Sequence, residues 1–167
     1  MNTDELLLEG FNRVRELVPA VTSGLSPAQL AEQPGGTGNS IGWLIWHLSR
    51  VQDDHLSPLA GEEQTWTSQG WDRRFGLDLP VEDNGYGHQV SDVAKVRADA
   101  DLLTAYHDAV ARRTERFLRG LGSTELDRVI DREWNPPVTM GVRLISVLAD
   151  CLQHVGQAAY VRGLILR

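Results

Sequence analysis

Apolar residues recur at helical spacing in four long stretches of the chain, and no stretch alternates in the manner of a strand. In the first, about Asp4 to Val21, Leu7, Phe11, Val14 and Val18 follow one another at steps of four, three and four, which draws one stripe along a helix. Ser26-Pro27 reads as an N-cap with proline at the first helical position and predicts a short helix to about Gln33. Ser40 caps a second long helix, about Ile41 to Leu56, which is apolar on most of its surface and stops before Pro58. A third is predicted from Asp92 to Leu121, with Leu103, His107, Val110, Thr114, Phe117 and Leu121 on one stripe and Gly120 and Gly122 to end it. Ser123 opens a short helix through Leu126. The run from Asp131 to Pro137 then bars helix until Thr139, the expected cap of a last helix to about Leu166.

Between Gly61 and Val90 the periodicity is lost. This is too long for a simple connector, and Trp66, Trp71, Phe75 and Tyr86 argue for an ordered excursion that packs back on the helices. Four long helices with some long connections predict an all-α four-helix bundle with crossover loops, as one domain over residues 1–167.

Composition narrows the partners. The net charge of -7 opposes nucleic acid, whose phosphates need a basic surface. No run is apolar enough to span a membrane, and the first residues lack a basic leader segment. The single cysteine, Cys151, allows no internal disulfide, so the expected location is cytoplasmic. A homodimer is an allowed state.

The chemistry concentrates in two helices. Asp150 and His154 stand four residues apart, on one face and one turn from each other, within the apolar last helix. His47 lies inside the equally apolar second helix. Facing helices bring His47, Asp150 and His154 to one divalent ion, with coordination positions left for water or substrate. The competing account is a plain His–Asp hydrogen bond, or a salt bridge from Asp150 to Arg143 or Arg162. Gln157, three residues past His154, is suited to hold a ligand or orient a metal-binding imidazole. Trp43, one turn before His47, is expected to wall the site. The excursion directly follows the helix of His47 and is expected to cover the mouth of the site, where Trp71 and Arg73 offer a flat face and a donor to a bound molecule; the alternative is that its aromatics fill a satellite core. His55 lies two turns beyond His47, in an Asp53-Asp54-His55 run that reads as a solvated helix end. His88 and His107 are not assigned, and Cys151 points away from Asp150 by about 100°.

The pairing of Ser40-Ile-Gly-Trp-Leu-Ile-Trp-His47-Leu with Asp150-Cys-Leu-Gln-His154-Val-Gly-Gln157 resembles the DinB/YfiT-like superfamily, in particular its mycothiol-dependent branch that includes maleylpyruvate isomerase. The resemblance in helix order extends over nearly the whole chain. It implies a four-helix bundle whose metal is held by a histidine of the second helix and a pair at i and i+4 in the last. His47 and His154 match the outer two ligands. Asp150 falls on the middle one, where the family carries histidine or glutamate. The implied cofactors are a divalent metal, zinc first with nickel or iron as alternatives, and mycothiol or a related thiol. The implied activity is S-transfer or isomerisation on a small-molecule electrophile, since a coordinated thiol loses its proton and becomes nucleophilic. Fifteen arginines against one lysine suit a high-GC bacterium of the kind that makes mycothiol. The alternative is a non-catalytic bundle that binds a small ligand or partner and has a degenerate metal site.

Overall fold

The computed structural model describes residues 1–167. Four long helices carry the fold: α1 (Thr3–Thr22), α3 (Ile41–Leu56), α7 (Ala100–Arg119) and α8 (Met140–Ile165). Four short ones lie in the connections: α2 (Pro27–Leu30), α4 (Thr65–Ser68), α5 (Trp71–Phe75) and α6 (Val90–Val93). The expected all-α bundle is what forms. α3 lies against α8 and α7, and α1 lies against the same two helices, so α1 and α3 face each other across the bundle. No helix is long and apolar enough to cross a membrane.

Local chemistry sets the helix starts. Ser40, Asp99 and Thr139 each accept a hydrogen bond from the backbone N–H three residues on, at 3.2, 2.8 and 3.3 Å. Ser26 and Gln29 close a capping box ahead of Pro27. The buried stripe of α1 runs through Leu7, Phe11, Val14 and Val18, as its spacing predicts. α3 differs in kind: residues 41–53 are all buried, because α7, α8 and the excursion surround it.

Two boundaries and one small element depart from the sequence expectation. The third helix begins at Ala100 rather than Asp92, since the chain breaks after α6 to turn Val93 and Val96 into the core. The helix after Pro27 stops at Leu30. A small antiparallel ribbon, β1 (Val129–Asp131) with β2 (Val138–Thr139), precedes α8. Strands of three and two residues are too short to display alternation.

The excursion packs back as expected. Trp66, Trp71 and Phe75 gather around the fully buried Tyr106 of α7, with ring centroids 5.2 to 5.7 Å from it. Tyr86, by contrast, is 92% exposed. A polar knot fastens the excursion to α3. Asp53 is buried and accepts from the N–H groups of Thr65 and Trp66 and from the hydroxyls of Ser57 and Tyr106, at 2.7 to 3.0 Å. Arg50, also fully buried, donates to the carbonyls of Asp83 and Glu82 and to Gln64. Asp53 is therefore an anchor in the interior and not part of a solvated helix end.

Candidate metal centre

His47 projects from the middle of α3, and Asp150 and His154 from successive turns of α8, the helix packed against it. One potential ligand atom from each lies within 4.8 Å of the other two. Ligands about 2.1 Å from a common ion stand no more than about 4.2 Å apart, so a small contraction completes the triangle. His154 Nε2 lies 3.4 Å from Asp150 Oδ1, and the two imidazoles meet edge to face at 4.8 Å.

Both histidines are oriented from behind. His47 Nδ1–H donates to the backbone carbonyl of Asn84 at 2.5 Å, which leaves Nε2 free to face the centre. His154 Nδ1–H donates to Gln157 Oε1 at 2.8 Å, which turns Nε2 toward Asp150. Burial lowers the basicity of His47, partly opposed by its bond to Asn84. Burial acts the same way on His154, but its hydrogen bonds to Asp150 and Gln157 and the charge of Asp150 outweigh that and raise its pKa.

The fit to a cation rests on Asp150. Its Oδ2 is buried and has no hydrogen-bond partner. No arginine answers it: Arg143 pairs with Asp131, and Arg162 donates to the carbonyl of Val21. A buried carboxylate oxygen without a donor is costly, and a metal ion removes that cost. Two imidazole nitrogens and one carboxylate suit first-row divalent ions.

The segment Val81–His88 straps the site from the excursion side. Trp66 Nε1–H donates to the carbonyl of Val81 at 2.9 Å, and Asn84 donates to Asp54 at 3.1 Å. Trp43 stacks on His47 at 4.6 Å and 13°, and its indole N–H donates to His88 Nδ1 at 3.0 Å. His88 Nε2–H in turn donates to Asp83 at 2.8 Å. Gly85, at φ +93°, lies close against the Nδ1 edge of His47.

The other sequence candidates fall as follows. Trp43 walls the centre, and Gln157 touches His154. Trp71 packs against Tyr106, and Arg74 lies over its ring. Arg73 lines a separate cleft of about 200 Å³ with Trp46 and Trp66. Trp71 and Arg73 are thus not gathered with the metal residues. His107 bonds to Ser49 in the core, and His55 contacts Arg143. Cys151 is buried, which pushes its thiol pKa up, away from reactivity. The excursion is expected from its sequence to cover the mouth of the site, but through its aromatics; the residues that lie against His47 are Asn84 and Gly85, whose Asn-Gly turn signal carries nothing local that ties it to His47.

The family model described as mycothiol S-transferase matches residues 6–166. Among solved structures, one described as the conserved protein of a locus from Enterococcus faecalis is 35% identical, with a TM-score of 0.93, and the match covers 99% of this chain and 98% of that one. A comparison with curated proteins finds no match. A bundle of this helix order, with a histidine of the second long helix set against a pair one turn apart in the last, and a family match over nearly its whole length, make the chain a member of the mycothiol S-transferase family.

Proposed function

We propose that the protein is a metal-dependent thiol S-transferase, which couples mycothiol or a related low-molecular-weight thiol to a small electrophile. The observation that carries this reading is the buried, unpartnered Oδ2 of Asp150 beside two imidazoles whose Nδ1 atoms are engaged from behind, so that Nε2 of each is the atom left for the centre. A divalent ion held by His47, Asp150 and His154, zinc before nickel or iron, supplies the positive charge that favours a thiolate at neutral pH. No protein thiol competes, since Cys151 is buried and hard to ionise. Asn84 and Gln157 fix the ligand tautomers, and Trp43 keeps water from one side of the centre.

The thiol's remaining bulk sits next to Gln157 in this reading. A cleft of about 510 Å³ there is lined by Asn39, Gln157, Tyr160, Gly156 and apolar neighbours, with no charged side chain among them. Two amides and a phenol suit an uncharged, hydroxyl-bearing arm.

The test combines metal content with turnover. The purified protein is expected to hold about one equivalent of metal and to conjugate mycothiol to a chromogenic electrophile only when loaded. Asp150→Glu keeps both properties, while Asp150→Asn and His154→Ala lose at least about tenfold in metal affinity. Full metal occupancy in Asp150→Asn would make Asp150 a mere partner of His154. Failure to take up any metal would favour a bundle that binds a small ligand without catalysis.

A further inference from the structure

We propose that Asp83 is the positioning residue of His47: one of its carboxylate oxygens sets the edge of the imidazole through a peptide group, and the other sets the face of the same ring through His88 and Trp43. The proposal rests on the reading of His47 as a metal ligand.

The first arm passes through a single peptide unit. Asp83 Oδ1 accepts from Gly85 N–H at 2.9 Å. The carbonyl of that peptide belongs to Asn84, and it accepts from His47 Nδ1–H at 2.5 Å. A trans peptide is planar and rigid, with its N–H and C=O on opposite sides, so holding one end aims the other. A carboxylate on the N–H also polarises the carbonyl toward His47. The effect is that of a carboxylate placed directly behind a metal-binding imidazole, relayed through one amide.

The second arm passes through two side chains. An indole nitrogen only donates, so the 3.0 Å bond from Trp43 makes His88 Nδ1 an acceptor and leaves the ring proton on Nε2. That proton goes to Asp83 Oδ2, 2.8 Å away. His88 is engaged at both nitrogens and is therefore a link, not a further metal ligand. Held in this way, Trp43 lies flat on His47, with centroids 4.6 Å and planes 13° apart. A single hydrogen bond at its edge leaves an imidazole free to tilt about that bond, and a ring stacked on its face removes the tilt. Asp83 is itself rooted on the helix of His47, because the fully buried Arg50 donates to its carbonyl at 3.1 Å. Burial opposes the charge of Asp83, but the bonds from His88 and Gly85 outweigh it and hold its pKa below the ordinary aspartate value.

The experiment compares the parent with Asp83→Ala, Asp83→Asn, His88→Leu, His88→Gln and the double variant Asp83→Ala/His88→Leu. Two quantities are read: the imidazole ¹⁵N spectrum of the metal-free protein, and zinc affinity by competition with a chelator. In the parent, His47 is expected as the pure Nδ1–H tautomer. Asp83→Ala is expected to mix its tautomers and to weaken zinc binding about 100-fold. His88→Leu removes one arm and is expected to cost about tenfold. Asp83→Asn has one oxygen, serves one arm only, and is expected to match it. His88→Gln, whose amide offers an acceptor and a donor, is expected to restore the parent's affinity. The His88 arm runs through Asp83, so the double variant is expected to bind zinc no more weakly than Asp83→Ala, whereas independent contacts would multiply their losses. A pure Nδ1–H tautomer of His47 in Asp83→Ala, or a double variant weakened by the product of the two single losses, overturns the proposal. Absence of zinc binding in the parent would instead overturn the metal reading, and the metal-free spectrum alone then decides the role of Asp83.

Discussion

Glycine is required at position 85 on two independent grounds. Its φ of +93° lies where side chains are strained, and a Cβ there would come 2.7 Å from His47 Nδ1, 3.1 Å from Trp46 and 3.2 Å from Trp43. Gly87 shares a positive φ, +77°, but has open space around it. Gly87→Ala is therefore expected to cost only the backbone strain, about 1 kcal/mol. Gly85→Ala adds a collision that pushes the strap off His47, and is expected to weaken metal affinity by about 10- to 100-fold, as loss of an imidazole's supporting hydrogen bond does. Competition with a chromogenic chelator measures both; equal affinities in the two variants would show that the strap does not steer His47. At this scale the sequence is informative about side chains and silent about main chain. His47, Asp150 and His154 stand out because their spacing on apolar helices is unusual. The group that orients His47 is a carbonyl, which every residue has, so its role leaves no mark in residue type.

The excursion owes its order to two buried charged residues of α3. Asp53 satisfies four donors, two of them backbone N–H groups at the start of α4. Replacing it by alanine strands those donors and leaves Arg50 buried without its neighbouring charge, 3.9 Å away. Loss of one partner from such a buried set costs about 3–5 kcal/mol. By comparison, the solvent-screened pair of Glu115 and Arg119 on α7 contributes little. Urea denaturation of Asp53→Ala and Arg119→Ala is expected to show that contrast, and a small loss in the first would mean that apolar packing alone fixes the excursion. None of this is visible locally. Asp53-Asp54-His55 at the end of a helix looks solvated until thirty residues further on fold over it. For the same reason the start of α7 is misplaced: residues 92–98 have ordinary helix formers, but the core takes Val93 and Val96 and breaks the run. The caps at Ser40 and Thr139, whose partners lie within three residues, were legible.

Stability of the molecule as a whole should carry an acid limb set by His107. In the unfolded chain its imidazole protonates near 6.5, whereas burial in the fold holds it neutral to about 4. Between those values the unfolded state binds more protons, so stability is full above about pH 6.5 and falls as the pH drops toward 4. The shift corresponds to a loss of about 3 kcal/mol across that window. His107→Phe is expected to flatten the window in denaturant melts taken from pH 7 to 4, even if its stability at pH 7 is reduced. An unchanged slope would assign the acid limb to other groups.

His47 lies in α3 while Asp150 and His154 lie in α8, about a hundred residues later, and the two helices share the core. An ion bound to all three would act as a removable cross-link. Like a disulfide across a long loop, it would join distant parts of the chain, but its strength would follow the free-ion concentration in the surroundings. Each tenfold rise in free metal above the dissociation constant should add about 1.4 kcal/mol to the folded state. The melting temperature should therefore climb with the logarithm of free zinc in the parent protein and stay level when His47 and His154 are both alanine. The midpoint of unfolding would then serve as a gauge of available metal, readable with no substrate at all.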